Sequence, residues 1–464
     1  MRQTLGYVTE AGPPVQDPLL TLAALARTSG DDDPYLAYEQ GESWFFARGA
    51  LARITVGRTH LHYTCGTDRK DIPWHDRPLP ALAGLLTALP VEDWRVYGTA
   101  CFELAHAQQA DTGVDFLDRT PHRPLLHLFV PHEEVRITPA GTLLRASDPH
   151  RLRRLAEQLR TPPAPPLTPP PMPWPDPPAD PSYTAAVRAA VDGIRAGALQ
   201  KVILSRRMPV GFAVDFPATY VTGRRANSPA RSFLLHLGET RATGFSPETV
   251  VEVTPDGTVR TQPLAGTRAR PADPCAAAAL REVLRHDGKE IVEHAISVRA
   301  AYEELAALGE PGSTHVTEYM TVKERGSVQH LASTVEARLP APLTCWDALA
   351  ALFPAVTASG IPKAAAYPWI RRLEGEERGL YAGAVLTAAS DGSLDAALVL
   401  RTVFQEGDRT WVQAGAGIVA DSRPERETEE TREKLASIAP YLVPRPGAPT
   451  DPAAPAPACP AATP

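Results

Sequence analysis

Before residue 162 the chain alternates apolar and polar positions in short runs that are broken by Gly, Pro or Asp. Alternation with a period of two residues is typical of half-buried strands, and the interruptions are typical of turns. The pattern therefore predicts an antiparallel sheet in the N-terminal half. Its strands are expected in the runs SWFFARGALARITV, RVYGTACFEL and PLLHLFVPHEEVRITP.

After residue 181 helical and strand patterns follow one another irregularly. Residues 182–198 have helical periodicity, and the strand-like run KVILSRRMPV comes next. Further strands are predicted in SFLLHLG, TVVEVTPDGTVRTQPL and LDAALVLRTVFQEGDRTWVQAGAGIV, where DG and EGD are hairpin-turn signals. Helical patterns cover about 278–309, 345–353 and 424–439. Because strands and helices do not alternate regularly, the sequence favours an α+β fold over a doubly wound parallel sheet.

Proline is concentrated in two places. Many of the 49 prolines lie in residues 162–181 and 444–464, where missing N–H donors and a preference for polyproline II exclude helices and central strands. We therefore predict a β-rich N-terminal half (1–161), a linker (162–181), a second folded region (182–443) and a disordered Pro/Ala tail (444–464). A role of the proline segments as ligands for a partner protein is the alternative.

Composition excludes several classes of function. The 464 residues, 43% of them hydrophobic, can bury a large core or two smaller ones. With 47 basic and 54 acidic residues, the net charge of −7 argues against nucleic acid as a partner. The five cysteines form no C-x-x-C pair, which predicts reduced thiols rather than disulfides or a zinc site. Since no apolar stretch reaches about 18 residues, we expect a cytoplasmic protein with no membrane partner.

Two helical segments carry paired glutamates. Glu290 and Glu293 lie three residues apart and share a helix face, and so do Glu427 and Glu430. Four carboxylates on two helices could form an all-oxygen site for Mg²⁺, which prefers to be completed by an anionic substrate. The alternative interpretation is two solvated helix faces with ordinary Glu-Lys pairs.

The second of these helices has a recognisable beginning. Ser422 and Pro424 are the expected N-cap and first helical residue of PERETEETREKLASI. Lys434 follows Glu430 by one helical turn and therefore belongs to the same face.

Isolated polar residues and glycines on the predicted strands are ambiguous. The run QAGAGIV, with Gly415 and Gly417, lacks the third glycine and the helix of a dinucleotide-binding loop, but its backbone could approach an anion closely. Lys201 begins a strand, Glu248 lies in the bend SPE, and Arg401 ends the strand ALVLR. Single residues of this kind are usually structural.

Taken together, these residues belong to a series of motifs that resembles the chorismate-utilising enzymes in order and spacing. This family includes anthranilate, aminodeoxychorismate, isochorismate and salicylate synthases. The resemblance covers residues 182–443, whereas the N-terminal half fits in length and in phrases such as ACFELAH. The motifs are KVILSR, SPETVVEV, QPLAGTR, KEIVEHAISVR, GSVQHLAST, FPAVTASGIPK, GLYAGAV, LVLRTVFQ and QAGAGIVADSRPERETEETREKL.

The resemblance implies a fold and a metal site. The implied fold is a large two-sheet α+β structure, with helices packed around antiparallel sheets that both halves of the chain share. Glu290, Glu293, Glu427 and Glu430 match the family's set for Mg²⁺. Of these, Glu293 and Glu430 match the direct ligands, and the other two act through water.

The resemblance also implies a catalytic pair and a substrate pocket. Lys201 matches the base that activates water, and Glu248 matches the acid that protonates the departing hydroxyl. The positions that match the chorismate pocket are Thr267, His330, Thr357, Tyr381, Arg401, Gly415, Gly417 and Lys434.

Within the family, KEIVEHAISVR and TASGIPKAAA resemble the salicylate synthases of siderophore pathways. Aminodeoxychorismate synthases commonly carry a nucleophilic lysine where this chain has Ala265, so no covalent amine adduct can form there. Anthranilate synthases use ammonia and need no general base at position 201. Lys201 therefore points to water as the nucleophile.

The implied function is Mg²⁺-dependent conversion of chorismate to salicylate and pyruvate through isochorismate, for siderophore biosynthesis. The resemblance implies a monomer that acts without a glutamine amidotransferase subunit. Three alternatives stay open: an isochorismate synthase that stops at isochorismate, an anthranilate synthase-type aminase, and a catalytically inactive binding protein. Lys201 and Glu248 occur in single-step isochorismate synthases as well, so they do not separate the first alternative from the main interpretation.

Overall fold

The computed structural model describes residues 4–108, 123–161, 163, 171 and 180–447. Within these residues the chain forms two large sheets with helices around them, as expected for an α+β fold. An 11-stranded sheet has the order β1 (Val8–Ala11), β10 (Gly141–Ala146), β9 (Glu133–Thr138), β3 (Ser43–Arg48), β2 (Tyr35–Gln40), β12 (Arg231–Leu237), β13 (Thr240–Ser246), β22 (Thr402–Glu406), β23 (Arg409–Ile418), β11 (Lys201–Pro209) and β19 (Gly360–Ile361).

The second sheet has 12 strands among the described residues, with β17 (His315–Arg325) paired to β18 at one side. Its main order is β16 (Leu264–Ala269), β18 (Val328–Arg338), β15 (Thr258–Thr261), β14 (Thr249–Val253), β21 (Leu394–Leu398), β20 (Ala384–Ala389), β7 (Arg95–Ala100), β8 (Leu126–Val130), β4 (Ala52–Val56), β5 (His60–Cys65) and β6 (Asp68–Pro73).

Both sheets run across the two halves of the chain. In the first sheet β2 pairs antiparallel with β12, so that Phe233 lies opposite Tyr38. In the second sheet β20 pairs antiparallel with β7. The expectation of one N-terminal sheet is therefore wrong in detail, because the predicted N-terminal strands are divided between two sheets that the C-terminal strands complete.

The predicted hairpin turns join neighbouring strands. Gly407 in the EGD turn between β22 and β23 has φ +54°, and Gly257 in the DG turn between β14 and β15 has φ +81°. Glycine adopts this left-handed region without the steric cost that a Cβ imposes. Turn chemistry and strand alternation together therefore fix these hairpins locally.

Capping residues and prolines mark where several helices begin. Several begin with an aspartate followed by proline: the Asp17, Asp148, Asp180 and Asp273 side chains each accept a backbone N–H of the first turn. The helices of the described residues are α1 (Pro18–Arg27), α2 (Pro78–Thr87), α3 (Leu104–Ala107), α4 (Pro149–Arg160), α5 (Pro181–Arg195), α6 (Phe216–Ala226), α7 (Pro274–His286), α8 (Gly288–Leu308), α9 (Cys345–Leu352), α10 (Lys363–Glu374) and α11 (Pro424–Leu435).

Two helix predictions need correction. The pattern at 278–309 is not one helix, because Asp287 leaves the helical conformation (ψ 112°) and its side chain caps α8 by accepting the Glu290 N–H at 3.2 Å. Helix α11 ends at Leu435, before the predicted 439, and Arg423 rather than Ser422 is its N-cap. The Ser422 hydroxyl instead accepts the Val419 N–H at 3.1 Å.

The main hydrophobic core contains residues of both sheets, among them Tyr38 and Phe233 of the first sheet and Tyr97 and Leu386 of the second. A second core covers the other face of the first sheet, against which helices α1, α4 and α6 pack. The glutamate-bearing helices α8 and α11 contact strands of different sheets: α8 lies on β16 and β18, and α11 lies on β23. They therefore meet where the two sheets come together.

The proline-rich segments, the cysteines and the question of a membrane-spanning helix remain. Most of the proposed linker 162–181 and most of the proposed tail 444–464 lie outside the described residues. The division of the chain into these segments stays a prediction. The four cysteines that the structure describes are free thiols, and none of the described helices is long and apolar enough to span a membrane.

Candidate active site

A cavity lies between the edges of the two sheets and the helices α8 and α11. Its walls also contain Ile203, Leu264 and Leu400, which make part of the lining apolar. Of the residues predicted from the sequence, those that line it are Glu248, Thr267, Glu293, His330, Thr357, Tyr381, Arg401, Gly415, Gly417, Glu430 and Lys434. Lys201, Glu290 and Glu427 lie directly behind this lining, in contact with its members or with Lys289.

Glu248 follows β13 and is buried in the cavity wall, with 2% of its surface exposed. Thr357 Oγ1 donates to Glu248 Oε1 at 2.6 Å, and the Leu264 N–H donates to Oε2 at 2.7 Å. Burial raises the pKa of Glu248 to about 7, although these donors and the cations of Lys201 and Arg401 oppose the shift. A carboxyl group with this pKa can hold a proton near neutral pH and deliver it, as a general acid must.

Lys201 is the first residue of β11 and has no exposed surface. Its Nζ lies 3.0 Å from Glu293 Oε1 and donates to Ser297 Oγ at 3.0 Å. The Ser297 hydroxyl in turn donates to the Glu293 carbonyl at 2.7 Å, which fixes its orientation. The lysine is thus tied to one face of α8.

Gly417 explains how Lys201 and Glu293 reach one another across β23. A Cβ at position 417 would collide with Glu293 Oε1 and would lie 3.1 Å from Lys201 Cε. At Gly415 a Cβ would lie 2.7 Å from the Leu204 carbonyl oxygen and 3.0 Å from the Tyr381 hydroxyl oxygen. Both glycines therefore allow close approach of side chains to the strand, and they leave its backbone open to the cavity.

The opposite wall carries cations and neutral donors. Arg401 is buried, contacts His330 through Nη2 and Nε2, and donates from Nη1 to the Arg325 carbonyl at 2.8 Å. Its φ of +51° places a non-glycine residue in the left-handed region, a strain that is typical of functional sites. Burial, with repulsion from Arg325, lowers the pKa of Arg401, which reflects the cost of an uncompensated buried cation. A carboxylate bound there would offset this cost.

His330 and Thr267 complete this wall. Thr267 Oγ1 lies 3.0 Å from His330 Nδ1. Burial and the nearby cations of Arg401 and Lys434 lower the pKa of His330 well below its usual range, so the imidazole is neutral at pH 7. Lys434 lies between the two walls, because its Nζ donates to the Gly415 carbonyl at 2.9 Å and lies 2.7 Å from Glu430 Oε1.

The four predicted metal-binding glutamates are all buried, and they converge from α8 and α11. Burial and repulsion from Glu430 raise the pKa of Glu290 and of Glu427. Burial alone would raise the pKa of Glu430 as well, but the cations of Lys434 and Lys289 outweigh it and lower the pKa. We call these residues, Glu290, Glu293, Glu427 and Glu430, the carboxylate cluster.

Glu290 is held in place by residues of β16. Its Oε2 accepts the Thr267 N–H at 2.8 Å, and its Oε1 accepts Arg268 Nη1 at 2.8 Å. This approach requires Gly266, which has φ +80° and whose Cβ position lies 3.2 Å from the Glu290 carbonyl oxygen. The conformational freedom of glycine at position 266 therefore seats the carboxylate against β16.

The carboxylate cluster has the chemistry of a site for a hard divalent cation. Glu427 Oε2 is buried without a hydrogen-bond partner, and all the donors are carboxylate oxygens, which Mg²⁺ prefers. No three described His, Cys, Asp or Glu side chains are arranged to hold an ion as they stand. The Lys289 ammonium instead lies among the carboxylates, 3.1 Å from Glu427 Oε1 and 3.5 Å from Glu290 Oε1.

Several residues of the site were not predicted from the sequence. Lys289, Ser297 and Arg268 contact the carboxylate cluster or its lysine, and Gln413 lines the cavity while donating to Ser205 Oγ at 2.9 Å. The sequence could have indicated two of them. Lys289 directly precedes Glu290, and Ser297 lies one turn after Glu293 on the same helix face. Nothing in the local pattern marks Arg268 or Gln413.

Known proteins are similar to this chain in sequence and in fold. The sequence profile of the family described as chorismate binding enzyme matches residues 34–440. The chain therefore belongs to the family of chorismate-binding enzymes. It is 44% identical over 422 residues to the salicylate synthase of Mycolicibacterium paratuberculosis, a match that covers 91% of this chain and 92% of that protein.

Solved structures show the same fold. Anthranilate synthase component I from Streptococcus pneumoniae superimposes with a TM-score of 0.72 at 26% identity, covering 93% of this chain and 99% of the other. The menaquinone-specific isochorismate synthase from Escherichia coli superimposes with a TM-score of 0.70 at 23% identity, covering 95% of each chain. The two-sheet α+β architecture predicted from the sequence is thereby confirmed.

Proposed function

We propose that this protein converts chorismate to salicylate and pyruvate, with isochorismate as the intermediate. The observation that carries the proposal is the pair of Glu248 and Lys201, both buried at one cavity, with burial raising the pKa of Glu248 to about 7. An acid that can hold a proton and a lysine proposed to take one, both at one enclosed site, fit exchange of one hydroxyl for another. The 44% identity to a salicylate synthase over 91% of the chain supports the same product.

In the first step Lys201 takes a proton from the water that attacks C2 of the ring. Glu248 gives its proton to the C4 hydroxyl, which leaves as water. Thr357 and the Leu264 amide hold the Glu248 carboxyl in place during this transfer. Because one water is taken up and one is released, the step is an isomerisation and needs no redox partner.

The cavity walls divide the binding of the substrate. Arg401, Tyr381 and the β23 backbone at Gly415 and Gly417 are proposed to hold the enolpyruvyl carboxylate, which would compensate the buried guanidinium of Arg401. Thr267, His330 and Thr357 are proposed to contact the ring, and the neutral imidazole of His330 can do so without adding charge. Lys434 is proposed to contact the ring carboxylate.

Mg²⁺ is the proposed cofactor. The residues that would hold it are those of the carboxylate cluster, with Glu293 and Glu430 as direct ligands and Glu290 and Glu427 acting through water. A bound Mg²⁺ would neutralise the ring carboxylate and withdraw electron density from the ring.

In the second step pyruvate leaves by intramolecular transfer of the C2 hydrogen to the enolpyruvyl methylene. This pericyclic step uses no acid or base of the protein. The contribution of the cavity is to hold the side chain over the ring, as in other reactions where orientation dominates catalysis.

The proposal also covers the nucleophile, the oligomeric state, the location of the enzyme and the use of its product. Ala265 lines the cavity where a nucleophilic lysine would be needed for an amine adduct, and Lys201 is available to activate water. We therefore propose an enzyme that works as a monomer, without an amidotransferase subunit, in the cytoplasm. Its salicylate would serve siderophore biosynthesis.

The deciding experiment is incubation with chorismate and Mg²⁺ in ¹⁸O-water, with high ammonium at alkaline pH and no other protein. Chromatography with mass detection should show salicylate and pyruvate, with the solvent label in the salicylate hydroxyl because C2 keeps its oxygen. Accumulation of labelled isochorismate alone would identify a single-step isochorismate synthase. Anthranilate as the main product, or unlabelled salicylate, would refute the water mechanism.

A further inference from the structure

Lys289 is the second residue of α8, and its side chain turns into the carboxylate cluster. Its Nζ lies 3.1 Å from Glu427 Oε1, 3.5 Å from Glu290 Oε1 and 3.9 Å from Glu293 Oε2. The Lys289 side chain is 19% exposed, so it is already in partial contact with solvent. The ammonium therefore occupies the space toward which the carboxylates of both helices point.

The other carboxylates of the cluster have further cationic partners. Glu293 is paired with Lys201, Glu430 with Lys434, and Glu290 with Arg268. Among the described residues, Glu427 forms its ion pair with Lys289, and its Oε2 has no hydrogen-bond partner. Lys289 thus balances a buried charge that the rest of the cluster leaves over.

We propose that Lys289 is an internal counter-ion, which occupies the carboxylate cluster while no metal is bound and swings out to solvent when a divalent cation enters. The proposal rests on the magnesium dependence proposed above and adds a role for this chain's own lysine. An ammonium and Mg²⁺ cannot share the cluster, because Mg²⁺ draws carboxylate oxygens or waters to about 2.1 Å and like charges at such short range repel strongly.

The exchange has two consequences for the protein. Without metal, the ammonium reduces repulsion among the carboxylates, so the cluster destabilises the fold less than the carboxylates alone would. On metal binding, the Lys289 pairs must break, so the measured affinity for Mg²⁺ is weaker than the bare carboxylates would give. Lys289 therefore acts through the carboxylates that would bind Mg²⁺, and it is not proposed to contact the reacting atoms.

The first test measures Mg²⁺ binding by calorimetry in the absence of chorismate. Lys289→Met keeps the length of the side chain and removes the charge, so it should bind Mg²⁺ about tenfold more tightly than the wild type. In EDTA its melting temperature should fall, and Mg²⁺ should raise it by more than it raises that of the wild type. Lys323→Met is the matched control, because Lys323 pairs with Glu318 at 2.6 Å on a different part of the surface. Affinity equal to or weaker than wild type in folded Lys289→Met would overturn the proposal.

The second test needs no variant. Amine acetylation of the wild-type protein, followed by peptide mass spectrometry, should label Lys289 slowly in EDTA and at least severalfold faster with saturating Mg²⁺, while Lys323 is unaffected. If Mg²⁺ binds but Lys289 stays protected, the lysine does not leave and the exchange is refuted, although the metal site stands. If no Mg²⁺ binds, both the metal assignment and the exchange are wrong.

Discussion

Two groups of buried polar side chains, one between the sheets and one at the cavity, differ in how completely their atoms are hydrogen-bonded. The inter-sheet charge cluster consists of Tyr38, Gln40 and Arg231 of the first sheet and Glu252 and Asp395 of the second. Asp395 Oδ2 accepts Arg231 Nη2 at 2.6 Å and Gln40 Nε2 at 3.0 Å. Its Oδ1 accepts Arg231 Nε at 2.9 Å and the Tyr38 hydroxyl.

The carboxylate cluster at the cavity is less completely hydrogen-bonded. Burial and repulsion from Glu430 raise the pKa of Glu290 and of Glu427, and Glu427 Oε2 has no hydrogen-bond partner. Lys289 lies among them at 3.1 to 3.9 Å, distances longer than the 2.6 Å pair of Arg231 and Asp395.

The difference separates a structural role from a functional one. Where the chain supplies every partner, as at Asp395, the charges join the two sheets and leave nothing for a ligand. Where partners are missing or loosely placed, a ligand can supply them and gain binding energy. On the same reasoning, the buried guanidinium of Arg401 on the opposite wall would be stabilised by a bound anion.

Breaking the inter-sheet charge cluster should have the largest effect on stability. Asp395→Asn removes the closer of the two carboxylates that pair with Arg231, so the free energy of unfolding should fall by about 3 to 5 kcal/mol. Denaturant titration measures this, with Asp408→Asn in the exposed β22–β23 turn as the control. A loss below about 1 kcal/mol, the range of surface pairs, would mean that the cluster is not structurally important.

The carboxylate cluster should respond in the opposite way. Glu293→Gln or Glu430→Gln should lower kcat by about a hundredfold or more, because these two carboxylates are the proposed direct ligands of Mg²⁺ and an amide oxygen is a weaker ligand. In EDTA the variants should stay folded and lose less stability than Asp395→Asn, because removal of one of four mutually repelling carboxylates offsets part of the lost ion pair. Glu303→Gln, on the exposed face of α8, is the control. Full activity of the variants, or of the wild type in excess EDTA, would contradict the metal assignment.

Glu248 is a third kind of buried charge, since neutral donors rather than a close cation hold it. Glu248→Gln should slow isochorismate formation from chorismate by about 10² to 10⁴. Supplied isochorismate should still lose pyruvate, because the second step uses no acid. Equal loss of both activities, with metal and substrate binding intact, would contradict the assignment of Glu248 to the first step.

How far the sequence predicts this site depends on the range of the interactions. The paired glutamates could be placed on helix faces, and the hairpins at Gly257 and Gly407 could be predicted, because both depend on residues a few positions apart. The break at Asp287 was missed, since helical periodicity continues across it and only the cap ends α7 and begins α8.

Interactions between distant segments could not be predicted from periodicity. The pairing of β2 with β12, and hence the meeting of Tyr38, Arg231 and Asp395, depends on packing that brings together residues about 160 to 360 positions apart. The position of Lys289 inside the carboxylate cluster likewise depends on how α8 meets α11. The resemblance to chorismate-utilising enzymes supplied the residues that local patterns left ambiguous, Lys201, Glu248 and Arg401 among them.

The smallest expected effect is a shift in the pH dependence of activity when Glu248 loses its neutral hydrogen-bond donor, Thr357. Thr357 donates to the Glu248 carboxylate at 2.6 Å and so favours its charged form, which lowers its pKa against the effect of burial. The acid must be protonated to act, so kcat/KM for chorismate should fall as pH rises through about 7. Thr357→Val removes the donor, raises the pKa of Glu248 and should move this descending limb to higher pH.

The same measurement distinguishes a shift of Glu248 from a general disturbance of the pocket. With isochorismate as the substrate, neither wild type nor Thr357→Val should show the descending limb, because the pyruvate-releasing step needs no protonated acid. Thr317→Val, on the exposed side of β17, should leave the profile unchanged. A descending limb that stays in place in Thr357→Val, or moves to lower pH, would show that it belongs to a group other than Glu248, because loss of a donor to a carboxylate can only raise its pKa.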